Sequence, residues 1–471
     1  MINIVQVIAR ETKNYLKLNA VIDGEEIITY AQLLEAVDKT SGELKKLKIS
    51  RFNRVALLCE DSSDYIIMSL AVLALYAVIV PVPLGSAPEE IDTLLENLKV
   101  NFLIFEPGSY PQKSAQAAGK KLFMIKLKAQ GRAAEDFYKI NPAFIRFSSG
   151  TTGANKGVVL SHKSIVQRTA AANKGLKISP GEQIIWVLSM SFHFVVTILL
   201  FLRRGATIIL SSRNFPQVLL RNLSRYSATF IYASPLHYHL LACLDLPKKS
   251  LARVRLAIST ASKLPLEIAE KFRRKFGFQL AEAYGIIEIG LPYVNTSKNI
   301  AKRGSVGKIL ADYKIKILNP DARGVGEIYI KGQGMFSAYF YPWQLSQKVL
   351  VNRWFNTGDL GRLDKDGYLF ILGRHKQVIN FSGMKIFPFQ IESLLNTHPL
   401  IKESLVYGKF HAEYGQLPTA KIVLKDSASG ISLEALRKFC YRHLAAYKVP
   451  KEFEFVSALP KTVSGKLKIV V

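Results

Sequence analysis

Cysteine is scarce in this chain: Cys59, Cys243 and Cys440 are the three in 471 residues, far apart and without metal-ligand spacing. That excludes a disulfide framework and a zinc site, and a reducing compartment, by default the cytoplasm, is the expectation. Acidic residues are also few, 36 against 64 Lys and Arg, giving a formal net charge of +28. Such a balance addresses nucleic acid, anionic lipid or phosphate-rich small substrates. The basic residues, however, are scattered through segments such as GELKKLKISR, DLPKKSLARVRL and EKFRRKFG, with no interleaved aromatics. They read as solvated helix faces, so no nucleic-acid partner is expected, and peripheral membrane contact stays open. No repeat of about 20 to 50 residues recurs, which excludes a solenoid or propeller. The first twenty residues contain no apolar core leading to a small-residue cleavage pattern, so no secretory signal is read there. Long hydrophobic runs are equally rare. Residues 65–82, YIIMSLAVLALYAVIVPV, are long enough to raise a membrane span. Pro81 and the β-branched stretch AVIVPV predict instead a buried helix feeding a buried parallel strand.

A hydrophobic content of 49% with 21% charged residues fits a globular protein, and the length fits several domains. Amphipathic stretches precede short aliphatic runs four times: YAQLLEAVDKTSGELKKL before RVALLC, APEEIDTLLENLKV before NFLIF, QVLLRNLSRYSA before TFIYA, and LEIAEKFRRKFG before FQLAEAYG. Helices alternating with buried strands predict an α/β fold built on largely parallel sheets. After residue 309 the texture changes to DYKIKIL, GEIYIKG and GYLFILG, which predicts a small antiparallel β subdomain. Beyond residue 373 a further α+β unit of about 100 residues is expected, with its boundary near 374–377.

Residues 146–162 read RFSSGTTGANKGVVLSH. Glycines let a backbone approach an anion, hydroxyls add donors, and a lysine adds a point charge for phosphate. A nucleotide-hydrolase P-loop needs Gly-Lys-Ser/Thr at its end, whereas Asn155 precedes Lys156 and Gly157 follows it. Residues 281–290, AEAYGIIEIG, place Tyr284, Gly285 and Glu288 at a strand end, where open parallel sheets bind ligands. A carboxylate there suits Mg²⁺ held against phosphate oxygens. Residues 355–377 carry Asp359 in a TGD turn and Arg374 after a glycine: an acceptor for ribose hydroxyls and a phosphate-reaching guanidinium, or, for Asp359 and Asp366, simply turn formers. Near the end, LPKTVSGKLKI puts Lys466 in a Ser-Gly-Lys turn, where a lone lysine is ordinarily solvated.

Taken in order, these segments resemble the adenylate-forming enzymes: acyl-CoA synthetases, nonribosomal-peptide adenylation domains and firefly-type luciferases. The likeness runs over nearly the whole chain and is nearest in character to acyl-CoA ligases. It implies that FSSGTTGANKG is a phosphate-binding loop, with Ser148, Ser149, Gly150, Thr151, Thr152, Gly153 and Lys156 around the β- and γ-phosphates of ATP. SFHF would put Phe192 and His193 on the acyl-pocket wall, with Gly285 beside it, and STASKL would put Ala261 and Ser262 at adenine. YGIIE would stack Tyr284 on adenine and give Glu288 to Mg²⁺. Asp359 would take the ribose hydroxyls, Arg374 ribose and phosphate, Lys376 a hinge, Gly383 the thiol tunnel, and Lys466 catalysis together with Glu288 and Lys156. The implied organisation is an ATP- and acyl-binding domain over 1–373, a hinge at 374–376, and a mobile C-terminal domain over 377–471.

The implied reaction joins a carboxylic acid to AMP with release of pyrophosphate and passes the acyl group to the thiol of CoA. A carrier-protein phosphopantetheine is the alternative acceptor, and a catalytically degenerate nucleotide- or lipid-binding protein the alternative of another class. Three features depart from the family pattern. Ile287 replaces a hydroxyl before the motif glutamate, Asn380 replaces a lysine, and the chain between His193 and Gly205 is about one helical turn short. FHFVVTILLF is apolar where amino-acid-activating relatives carry an aspartate, which favours a fatty or aryl acid without an amine.

Overall fold

Local signals set the helix ends. Thr29 opens the helix Tyr30–Lys46 with a capping box: its hydroxyl accepts from Gln32 N, and Thr29 N donates to Gln32 Oε1. Ser62 caps Ser63–Ala74 by accepting from Tyr65 N at 3.0 Å. That helix is buried on almost every side and turns at Tyr76, φ +55°, into the wholly buried strand Val78–Pro81. Residues 65–82 thus form the expected helix and strand. Among the described residues no helix is long and apolar enough to cross a membrane.

The computed structural model describes residues 1–110, 115–118, 122–128, 131–148, 156–382, 384–425, 431–461 and 467. Of the predicted site residues, Ser149, Gly150, Thr151, Thr152, Gly153, Gly383 and Lys466 lie outside these, as does the side chain of Ser148. Packing divides the chain into two units: Met1–Lys314 with Ile330–Phe355, and Ile315–Tyr329 with Asn356–Val471.

The first unit holds two nine-stranded sheets among its described residues. One has a parallel centre of Pro142–Ser148, Val78–Pro81, Arg54–Leu58 and Phe102–Phe105, with antiparallel strands added at both edges. The other runs parallel from Ala281–Ile286 through Leu256–Ser259, Phe230–Ala233, Gln183–Trp186 and Thr207–Leu210 to Asn19–Asp23. It becomes antiparallel at each end, where Gly290–Asn295 follows Ala281–Ile286 and Glu26–Thr29 folds back on Asn19–Asp23. The predicted helix–strand pairs occupy these sheets. Two additions come from distant sequence: the hairpin of Asn19–Asp23 with Glu26–Thr29, and the short strand Ala338–Tyr339 laid on Lys156–Ser161.

Mostly in the second unit, Phe355–Leu363 and Leu369–Arg374 pair antiparallel within a four-stranded sheet that also takes Tyr313–Leu318 and Gly326–Gly332. A separate sheet forms around Ile401–His411 and Gly415–Leu424, with Glu452–Phe455 added parallel. Its core gathers Ile379, Ile386, Ile391, Val406, Ile422, Leu436 and Cys440 against the helices Pro388–Leu395 and Leu433–His443. All three cysteines are free; Cys59 and Cys440 are buried.

Candidate functional site

The strands Pro142–Ser148 and Lys156–Ser161 pair antiparallel, and Ser148 stands opposite Lys156 in the register. Lys156 is therefore at the first rung after the glycine- and threonine-rich sequence 149–155. Pairing of Tyr339 with Val158 brings the phenol alongside, and Lys156 Nζ lies 4.6 Å from the Tyr339 ring centroid. A cation over an aromatic face gains about 0.5–2 kcal/mol, so the ring orients the ammonium. The other end of Tyr339 reaches Glu288, its Oη donating to Oε1 at 3.3 Å. Burial first, then the Glu288 charge and this bond, raise the Tyr339 pKa, which keeps the phenol protonated as a donor. Two residues 132 positions apart in sequence, both predicted, thus meet through a third that was not.

Glu288 lies in a turn between Ala281–Ile286 and Gly290–Asn295, where the second sheet passes from parallel to antiparallel. Ile289 N donates to Ile286 O and Phe336 N donates to Glu288 O, so the turn's backbone is tied on both sides. At Gly285 a Cβ would stand 2.4 Å from Gly290 O, which excludes any side chain at this rung. Tyr284 packs against Tyr293, centroids 6.3 Å apart. Beside this strand, Ala261 and Ser262 stand exposed just past Leu256–Ser259. Ala261 has φ +71°, a left-handed conformation costing a non-glycine residue about 1–3 kcal/mol.

Phe192 and His193 end the short helix Met190–His193, whose first amide, Met190 N, donates to Asp61 Oδ1 at 2.8 Å. Burial raises the Asp61 pKa to about 7. The His193 ring meets Trp186 and Tyr232 edge-on at 6.0 and 6.2 Å, and those two rings stack on each other. A π-helical segment, Phe194–Ile198, follows and leads into the helix Leu199–Arg203. Arg146, two residues before Ser148, donates from Nη1 to Phe192 O at 2.8 Å and lies 5.2 Å from the Phe192 ring. Burial lowers the Arg146 pKa to about 10, opposed by the Glu288 charge. The predicted pocket wall is thereby tied to the strand Pro142–Ser148, which precedes the predicted phosphate-binding segment.

In the second unit Asp359 and Arg374 are cross-strand partners. Arg374 Nε stands 2.8 Å from Asp359 Oδ1, and Nη1 donates to Thr357 O at 2.9 Å. Thr357 in turn receives Asp359 N and donates to Ile328 O. Lys376 is exposed in the turn His375–Gln377 and takes no part in the pair.

Among the described residues no cluster of three or more His, Cys, Asp or Glu side chains could hold a metal by itself. A lone, partly exposed Glu288 carboxylate fits an ion that takes its remaining ligands from substrate phosphates and water, the usual manner of Mg²⁺. Sequence reasoning missed Tyr339 and Arg146. Tyr339 hides in the aromatic segment SAYFYPW, and Arg146 resembles the many solvated arginines.

Residues 8–340 match the AMP-binding enzyme family, and residues 390–466 match the AMP-binding enzyme C-terminal domain. The chain belongs to the AMP-binding enzyme family. Its curated relatives include the 2-succinylbenzoate–CoA ligase of Bacillus subtilis, 27% identical over 95% of this chain and 93% of the relative. The sulfoacetate–CoA ligase of Cupriavidus necator is 30% identical over 69% of this chain and 66% of its own length. In fold, the chain is similar to ATP-bound MatB from Rhodopseudomonas palustris, with a TM-score of 0.86, 23% identity, and 99% and 97% of the two chains covered.

Proposed function

We propose that this chain is an ATP-dependent acid–thiol ligase of the acyl-CoA synthetase type. A carboxylate oxygen attacks the α-phosphorus of ATP, the bond to pyrophosphate breaks, and an acyl-adenylate forms. A thiol sulfur then attacks the acyl carbonyl, AMP leaves, and the thiol proton passes to solvent. CoA is the acceptor in this reading, and the acid is a fatty or aryl carboxylate without an amine, in keeping with the apolar run after His193.

The observation that carries the reading is the Lys156–Tyr339–Glu288 arrangement, whose lysine directly follows the glycine- and threonine-rich sequence 149–155. Two anions must approach each other and charge must shift onto pyrophosphate, so the demand is for positioned cations. Lys156, held over an aromatic face, meets that demand for the outer phosphates. Glu288 would hold Mg²⁺, which when bound screens phosphate charge. Asp359, fixed by Arg374, offers acceptors to ribose hydroxyls. Lys466 is assigned the bridging of carboxylate and α-phosphate on the strength of the family resemblance. The relatives support the thiol half of the reaction, since their names specify CoA ligation of 2-succinylbenzoate and of sulfoacetate.

The experiment is ATP–pyrophosphate exchange over a panel of fatty and aromatic acids, followed by mass spectrometry for a CoA thioester. Exchange that depends on the acid and disappears in Lys466→Ala is the expected result. Silence across the panel overturns the reading and leaves the degenerate nucleotide- or lipid-binding protein that Ile287 and Asn380 motivate. Exchange without a CoA thioester moves the acceptor to a carrier protein.

A further inference from the structure

Arg168 lies in the helix His162–Leu176 with no solvent exposure. A guanidinium in such a place is costly unless its N–H groups are matched. Here Nε and Nη2 donate to Gly334 O at 2.9 and 2.7 Å, and Nη1 donates to Ile287 O at 2.9 Å. Burial lowers its pKa to about 10, opposed by Tyr313 and Glu288, so it remains a cation at neutral pH.

The two carbonyls belong to the two segments that meet at Glu288. Ile287 directly precedes Glu288, and Gly334 begins the passage that reaches Tyr339 five residues later. The segments also share the Phe336 N to Glu288 O bond of 2.7 Å. Gly334 has φ +71°, and a Cβ there would stand 2.4 Å from Arg168 N, so the segment runs against the helix backbone where only glycine fits. The helix thus meets one segment directly and reaches the other through its arginine.

We infer that Arg168 is a positioning residue for the metal–nucleotide site: its forked guanidinium sets the spacing between the Ile287–Glu288 turn and the 334–339 segment, and so the meeting of the Glu288 carboxylate with the Tyr339 hydroxyl. The inference rests on the reading that Glu288 holds the metal of a nucleotide complex. A planar fork spans two carbonyls at once, which a lysine ammonium cannot reproduce in the same geometry. An arginine that merely filled space would change thermal stability and leave the metal dependence of the folded enzyme untouched.

The test compares Arg168→Lys and Arg168→Gln with the wild-type chain by three measurements: thermal midpoint, calorimetric affinity for Mg·ATP, and Mg²⁺ half-saturation of acid-dependent pyrophosphate exchange. Arg168→Lys is expected to raise the Mg²⁺ half-saturation about tenfold and weaken Mg·ATP binding by a similar factor, with KM for the acid unchanged. Arg168→Gln shifts both further. Folded Arg168→Lys protein with wild-type Mg²⁺ half-saturation and Mg·ATP affinity overturns the inference. Should both variants fail to fold, hydrogen exchange on the wild-type chain decides: the Phe336 amide slows with Mg·ATP and not with ATP in chelator, and equal rates overturn the inference. A wild-type chain that binds no Mg·ATP overturns the functional reading itself. Wild-type binding that the lysine variant matches overturns only the role of Arg168.

Discussion

Glu288 and Asp359 are the two carboxylates on which the proposed function turns, and their surroundings are opposite. Asp359 is 4% exposed and lies 2.8 Å from the Arg374 guanidinium across an antiparallel rung. Glu288 is more open, with a neutral phenol as its hydrogen-bond donor. The buried guanidiniums whose charge it feels, Arg146 and Arg168, donate to the carbonyls of Phe192, Ile287 and Gly334. One carboxylate is ion-paired where it stands, which under the proposed function suits uncharged hydroxyls. Under the same proposal the other is left for a cation that arrives with substrate.

If that contrast holds, Glu288→Gln causes the largest loss, on the order of 10²–10³-fold in exchange rate at saturating ATP, because it removes charge stabilisation at the reacting phosphates. Asp359→Asn costs about tenfold and chiefly in KM for ATP, since it loses a binding contact rather than a charge at the reaction centre. Steady-state kinetics with varied ATP separate the two, and equal kcat losses would erase the contrast. Tyr339→Phe should be smaller: losing one hydrogen bond to a carboxylate while keeping the ring under Lys156 raises Mg²⁺ half-saturation by about three- to tenfold.

The smallest effects are on stability against pH, and here the units differ in sign at two buried groups. In the second unit Glu392, which accepts Val406 N at 2.8 Å, has its pKa raised by burial from 4.5 to about 7. The folded chain holds that proton longer than the unfolded one, so its contribution is complete below about pH 4.5 and is lost as pH rises towards 7. In the first unit His162 accepts Ile4 N, and burial lowers its pKa from 6.5 to about 4. There the unfolded chain takes the proton first, and stability falls as pH drops from 6.5 towards 4. Glu392→Gln should reduce the loss between pH 4.5 and 7 by the share of this one carboxyl, leaving that of Asp61 and the acid-side loss in place, as thermal midpoints against pH will show.

Much of this was legible in the sequence, for reasons specific to each residue. Lys156, Glu288, Asp359 and Arg374 sit in short segments whose glycines and hydroxyls have few other uses, and the structure pairs Asp359 with Arg374 directly. The helix–strand alternation was equally readable because each buried strand is a compact aliphatic run bounded by a turn. Tyr339 was not, since a phenol among aromatics looks like core until register places it on Val158. Arg168 was hidden by the basic composition: in a chain with 64 Lys and Arg, nothing local marks it as turning inward to two carbonyls. The hairpin of Asn19–Asp23 with Glu26–Thr29 escaped for a related reason, because joining Thr207–Leu210 depends on contacts almost 200 residues away.

The π-helical segment directly after His193 carries a further consequence. Such a turn accommodates one residue beyond the α-helical count, so the wall can shed a residue there and stay helical. Doing so would rotate Phe192 and His193 by about 100° about the axis relative to Leu199–Arg203. The length of this stretch, and not only its side chains, is then a lever by which descendants of the chain could re-aim the surface that the proposed function gives to the acid.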